Sequence, residues 1–156
     1  MYERDPVSLK QFMQCMQDPQ DKLDEIAVVF AWNYYAILSG GPHRLPDLAP
    51  LYGDSSLITH DGDKAVGRTA IVALLERMSK MHSAFKFVHE VLHVDCQALG
   101  VNGSALVLVQ GRLRSLGIAS GPGSAPVPFS EAFTLGQTRT GEFYVVSQMY
   151  RSAIKS

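Results

Sequence analysis

Beyond Ser83 the apolar residues of this chain stop recurring at helical spacing. They fall instead into four long runs, 85–99, 104–115, 127–137 and 142–154, that read as strands. A chain with a helical first half and a second half built of strands has few ways to enclose one core. The joints between the runs favour hairpins. Asn102-Gly103 places two residues tolerant of positive φ between the first pair, and Arg139-Thr140-Gly141 separates the last pair. The middle joint, 117–126, reads Gly-Ile-Ala-Ser-Gly-Pro-Gly-Ser-Ala-Pro and is expected as a surface loop.

Upstream the period is helical. Over 21–39, Leu23, Ile26, Ala27, Phe30, Ala31, Tyr34, Ile37 and Leu38 form one broad apolar face. Gly40 and Gly41 are expected to cap that helix in a left-handed turn, and Pro42 prevents its continuation. Residues 6–16 carry Leu9, Phe12, Met13 and Met16 at the same spacing, predicting a shorter helix that ends near Asp18-Pro19. A further helical turn is expected over 45–52. A small hairpin follows, turning at Asp61-Gly62, and then a helix over 68–81 with Ile71, Leu74, Leu75, Met78 and Met81 on one side. The expectation is a single α+β domain over 1–156, with 1–18 an N-terminal helical extension and the helices packed on one face of a bent antiparallel sheet.

Composition removes several classes of function. The formal charge is −1 and the basic residues are scattered, so the basic stripe that phosphate binding requires is missing and direct nucleic-acid binding is not expected. No apolar run approaches the eighteen residues of a membrane span. Cys15 and Cys96 read as reduced, intracellular thiols, and Cys96 has no basic neighbour in sequence to lower its pKa.

The run 104–115 is apolar on both faces, since Ala105, Val107 and Val109 alternate with Leu106, Leu108 and Gln110. Helices can cover one face. Either a partner subunit covers the other, or all of these side chains fill one deep core.

With the elements placed, the chain resembles the nuclear transport factor 2 family from about Phe30 to Arg151. The resemblance rests on Phe30 with Asn33-Tyr34-Tyr35, on Leu51-Tyr52, and on the run from Ser55 through His60-Asp61-Gly62. Gly67 with Ala70-Ile71, Val94-Asp95-Cys96-Gln97, Gly111-Arg112-Leu113, the run Phe129 to Leu135, and Phe143-Tyr144-Val145 leading to Tyr150-Arg151 complete it. It implies a cone-shaped, cystatin-like fold, dimerisation through the open sheet face, no catalytic residues, no cofactor and no metal. The implied biology is nucleocytoplasmic transport, including mRNA export, in cytoplasm, nucleus and nuclear envelope. The implied partners are Ran-GDP, nucleoporin Phe-Gly repeats or a larger export receptor subunit, in a homodimer or a heterodimer with a homologous domain.

The same resemblance places partner binding at Tyr34, His60 and Asp61, around an apolar socket bordered by 117–126. It places the dimer interface at Val107, Val109 and Phe133, with Arg112, Glu131, Gln148 and Arg151 as its polar contacts. Two departures matter. His60 stands where the family usually has tryptophan, and no Asp or Glu occurs from Ser115 to Phe129, where the Ran carriers place two acids. Both lower the Ran-carrier reading and raise that of an mRNA-export small subunit.

Two other readings compete with this one. The cone fold also hosts isomerases and dehydratases, for which Tyr34, His60 and Asp61 would be the pocket groups, and peptide-binding domains of the Ras-GAP SH3-binding protein type. His89, Val91, His93 and Asp95 share one parity on the first long run and so could line one face. Histidines four apart on a strand stand about 13 Å apart, too far to hold one ion.

Overall fold

The computed structural model describes residues 19–100, 103–116 and 125–153. The helical extension expected over 1–18, most of the joint 117–126 and the end of the last run lie outside them. Helix α1 spans Pro19–Ser39, and two 3₁₀ turns follow at Pro42–Asp47 and Ala49–Leu51. Then come β1 (Tyr52–His60), β2 (Asp63–Val66), α2 (Arg68–Phe85), β3 (Phe87–Ala98), β4 (Ala105–Ser115), β5 (Val127–Gln137) and β6 (Phe143–Ser152).

The stop after α1 works differently from the expected cap. Gly41 takes φ 100°, ψ 167°, a region open essentially to glycine alone, rather than the left-handed helical region. Pro42 then opens a 3₁₀ turn, so the helical turn expected over 45–52 starts earlier and is tighter, and Tyr52 already belongs to β1. The β1–β2 hairpin is as read: Asp61 (φ 46°) and Gly62 (φ 95°) give the two positive φ angles that a two-residue turn with the twist of the strands needs. Helix α2 buries Ile71, Leu74, Leu75, Met78 and His82, whereas Met81 is 45% exposed. Past Met78 the inward position falls four residues on, at His82, and the helix continues to Phe85.

The sheet order is β2-β1-β6-β5-β4-β3. Four of its junctions are antiparallel, but β1 runs parallel to β6, so the sheet is mixed rather than antiparallel. Helix α2 carries the chain from one edge of the sheet to the other, and β3 to β6 return strand by strand. β1 and β6 therefore meet with no turn between them to impose an antiparallel sense.

The strand faces correct the sequence reading at several positions. Val107, Val109 and Phe133 are 0% exposed, Gln148 1% and Glu131 3%, all sealed beneath the chain's own helices. They cannot form an intersubunit surface. The alternate residues do face outward, and because β4 is apolar on both faces, its composition did not say which face was which. On β3 the register jumps from Val91↔Gly111 to His93↔Gln110, leaving Leu92 as an extra residue. This bulge sends His89 and Val91 inward and His93 and Asp95 outward, so the four do not share a face.

Gly111 fits this bulge for a steric reason. A Cβ at this position would overlap the Glu90 carbonyl oxygen and stand 2.8–2.9 Å from ring carbons of Phe129. Gly111→Ala is expected to cost about 1–3 kcal/mol through overpacking. Gly53→Ala, where nothing lies within 4 Å, is the control. Urea unfolding midpoints that are equal for the two variants would contradict this account of the bulge.

Candidate functional site

Inside the cone, five polar side chains from four elements form one network. The Tyr35 hydroxyl donates to Glu131 Oε1 at 2.7 Å. Gln148 Nε2 donates to Glu131 Oε2 and to the Tyr34 hydroxyl, each at 2.9 Å. The Tyr52 hydroxyl donates to Gln148 Oε1 at 2.6 Å. Tyr34 and Tyr35 are adjacent on α1 and point roughly 100° apart, and each nevertheless reaches this network, with ring centroids 5.0 Å apart in an edge-to-face contact. Phe30 and Phe133 pack edge to face at 5.0 Å beside them.

Burial sets the protonation of this layer. It raises the Glu131 carboxyl to about 7, against the hydrogen bonds from Tyr35 and Gln148 that favour the carboxylate. It also raises Tyr34, Tyr35 and Tyr52, so these phenols stay neutral, Tyr35 and Tyr52 as donors and Tyr34 as the acceptor of the Gln148 amide. All polar positions of Glu131 and Gln148 facing the network are occupied, and neither residue reaches solvent.

A second layer lies toward the β1–β2 turn. The His60 ring stacks on Tyr150 at 4.2 Å, Tyr150 stacks on Phe129 at 5.4 Å, and His89 Nε2 is 3.3 Å from the Tyr150 hydroxyl. The rings of His82 and His89 meet at 5.0 Å. Burial lowers His82 to about 4 and His89 to about 3, with the neighbouring histidines adding to the effect. Burial also lowers His60, outweighing Asp61 and Asp63, which act to raise it. Nδ1 of His82 and of His89 is buried with no hydrogen-bond partner among the described residues. No group of three His, Cys, Asp or Glu among those residues is arranged to hold a metal.

The residues expected to bind a partner are therefore split. Tyr34 is 2% exposed and serves the interior network, so it cannot meet another protein. His60 and Asp61 do sit together at the turn, but both are committed within the chain. Asp61 accepts from the Ser152 backbone N–H at 2.7 Å and from the Ser152 hydroxyl at 2.8 Å, pinning the end of β6 to the hairpin. His60 lies flat on Tyr150 and has a side chain only 12% exposed.

The outer face of the sheet is the other candidate surface. Leu108, Ala132 and Met149 pair in register across β4, β5 and β6. Leu106, Thr134 and Ser147 form the next row, continued by Leu57 on β1 and Val66 on β2. Leu57, Val66, Leu108 and Met149 are all exposed. Gln110, Ser130 and Arg151 form the row on the other side, and Arg112 donates to Glu90 Oε1 at 2.8 Å close by.

A family model for the nuclear transport factor 2 domain matches residues 26–152. The chain belongs to the nuclear transport factor 2 family. It is 34% identical over 130 residues to nuclear transport factor 2 of Oryza sativa subsp. japonica, covering 82% of this chain and 94% of that one. Nuclear transport factor 2B of Arabidopsis thaliana is 31% identical over 128 residues, covering 82% and 92%. The solved structure of nuclear transport factor 2 from Cryptosporidium parvum superposes with a TM-score of 0.66 at 25% identity, over 88% of this chain and 97% of that one. These relatives are transport factors by name.

Sequence reasoning placed Glu131 and Gln148 in this nuclear transport factor 2 domain but on the wrong face. One signal was available. Phe129, Glu131, Phe133 and Leu135 share a parity on β5, and a carboxylate set among two phenylalanines and a leucine points inward with them.

The network and the histidine layer respond to pH in opposite senses. His82 and His89 have folded values below their ordinary 6.5, so their contribution to stability is complete above that value and is lost as pH falls toward 4 and 3. Glu131 has a folded value of about 7 against an ordinary 4.5, so its contribution is complete below 4.5 and is lost as pH rises through 7. Each group changes the slope by about 1.4 kcal/mol per pH unit within its window. Two histidines outweigh one carboxyl, and stability is expected to fall on acidification from 6.5 to 4.5. Glu131→Gln removes the opposing contribution and is expected to steepen that fall. Denaturant unfolding across this range checks it, and an unchanged slope in the variant would show that Glu131 does not titrate there.

Proposed function

We propose that this protein is a non-enzymatic nucleocytoplasmic transport module that works as a dimer, closing the outer face of its sheet against a homologous domain. The observation that carries the reading is the row Leu108, Ala132 and Met149, in register across three neighbouring strands with Met149 63% exposed. Contiguous apolar patches of this kind on an otherwise ordinary surface mark interaction sites. Arg112 and Arg151 border the patch and supply its polar contacts. Arg112 Nε is buried without an acceptor among the described residues, so an acceptor on a partner would satisfy it.

The choice of partner follows from the departures. Asp61 already spends both oxygens on Ser152, and no acid occurs from Ser115 to Phe129, which disfavours Ran-GDP. His60 replaces a larger ring and lies stacked on Tyr150, leaving little aromatic surface for a nucleoporin Phe-Gly repeat. A larger export receptor subunit with a homologous domain needs neither feature and is the partner we favour. Residence in cytoplasm and nucleus, with passage through the nuclear envelope, goes with that role.

An isomerase or dehydratase reading has one observation in its favour, the Glu131 carboxyl near 7. A catalytic carboxyl must meet its substrate, however, and this one is 3% exposed with both oxygens already accepting hydrogen bonds. It acts as a clamp between α1, β5 and β6.

Leu108→Glu with Met149→Glu places two carboxylates in the centre of the patch without touching the core. Sedimentation of the wild-type chain, alone and mixed with extract, is expected to show a homodimer or a complex with a homologous subunit. The double variant is expected to remain monomeric with unchanged far-ultraviolet dichroism. A wild-type chain that stays monomeric and captures no homologous subunit would overturn the proposal.

A further inference from the structure

β3 forms one edge of the sheet, and its ladder to β4 shows which of its backbone groups are unused. The Leu99 N–H donates to the Ser104 carbonyl directly opposite, at 2.9 Å. Bonded and non-bonded pairs alternate in an antiparallel ladder, so Gln97↔Leu106, Asp95↔Leu108 and His93↔Gln110 are the bonded ones. The N–H and C=O groups of Val94, Cys96 and Ala98 therefore point away from the sheet, and nothing among the described residues bonds to them. The Leu92 bulge ends this regular stretch, which runs over 93–98 and is about 20 Å long.

A groove of about 610 Å³ follows this edge, lined by Val28 of α1, by Val94, Asp95 and Cys96 of β3, and by Leu106 and Leu108 of β4 among others. Strand alternation divides its chemistry. Val94 and Cys96 turn inward, half-buried against the core cluster rather than sealed within it. Asp95 and Gln97 turn outward and are exposed, and Asp95 has no ion pair among the described residues. The groove has the volume of a ligand or peptide cleft, smaller than the surface a whole domain would need.

We propose that this edge takes up an extended segment of a partner protein, added antiparallel to β3 and reading apolar-basic-apolar over three successive residues. Backbone bonds to Val94 and Cys96 hold the segment, as in other strand additions at a sheet edge. The partner residues opposite Val94 and Cys96 turn inward, where apolar side chains meet those two and Val28. The residue between them stands opposite Asp95 in a non-bonded pair, the kind in which side chains approach most closely. A lysine or arginine there sets its charge beside the carboxylate. An exposed ion pair adds little affinity, so it selects the sequence rather than holding it. The inference does not rest on the transport reading: Leu108 borders both surfaces, but Met149 takes no part in the groove.

Three blocked, dye-labelled peptides test it by fluorescence anisotropy on the full chain: Thr-Ile-Arg-Ile-Thr, Thr-Ile-Glu-Ile-Thr, and the arginine peptide methylated at both isoleucine nitrogens. The glutamate peptide is expected to bind about fivefold more weakly than the arginine peptide. The methylated one keeps its side chains but loses two ladder donors, and is expected to bind at least about tenfold more weakly. Asp95→Lys should reverse the order of the arginine and glutamate peptides. Adding the arginine peptide should slow amide exchange at Val94 and Cys96 and leave Asp95 and Gln97, already bonded to β4, unchanged.

Met149→Glu, on the proposed dimer face, should alter none of this, and loss of peptide binding in that variant would overturn the proposal by moving the site to the outer face. Undiminished binding of the methylated peptide, or unchanged exchange at Val94 and Cys96, would also overturn it. So would slow exchange of these two amides without peptide: at high dilution the chain would be covering its own edge, and with rising concentration a second copy would.

Discussion

A single buried carboxylate decides how the helices sit on this sheet. Glu131 is almost fully enclosed, and an unpaired acid in that position would cost several kcal/mol. It is tolerated because Tyr35 of α1 and Gln148 of β6 donate to its two oxygens, while Gln148 is held in turn by Tyr34 and Tyr52. The bonds span 96 and 114 residues of chain between α1 and the last strands, so the network forms only when the cone is closed. Apolar packing would allow α1 to slide on the sheet. These bonds fix its depth and rotation, since a small shift leaves buried donors or acceptors unmatched.

Filling the cone in this way determines where the protein can act. Tyr34, Tyr52, Phe133 and Gln148 occupy the space that a ligand would need, and Asp61 and His60 at its mouth are tied to Ser152 and Tyr150. What remains available is the outside of the sheet. There the strands that bury Val107, Glu131 and Gln148 on one side present Leu108, Ala132 and Met149 on the other. Strand alternation thus separates the two faces: the inner one supplies stability, and the outer one carries the recognition proposed above.

Much of this was legible from the sequence. The helices at 21–39 and 68–81 and the Asp61-Gly62 turn follow from local periodicity and turn chemistry, and the strands fall within a few residues of their expected limits. What escaped was non-local. The parallel contact of β1 with β6 depends on where α2 deposits the chain, and no local pattern encodes it. The Leu92 bulge reverses the parity of His93 and Asp95, and it depends on the close approach that Gly111 permits on the neighbouring strand. The assignment of Val107, Glu131 and Gln148 to a dimer face failed for a related reason. Both faces of β4 are apolar, so the pattern gave two faces without saying which the helices would take, although the phenylalanines flanking Glu131 pointed the way.

The central claim is that the cone is sealed by its own side chains and that its outer face is the one a partner covers. Hydroxyl-radical footprinting over a range of protein concentrations, alone and with a bound partner, reports on both faces at once. The account predicts that Met149 and Leu108 are modified when the chain is dilute and protected on association, while Tyr34, Tyr52 and Phe133 stay unmodified throughout. Modification of Tyr34 or Phe133 that a partner then suppresses would contradict it, because the interior would be the binding surface.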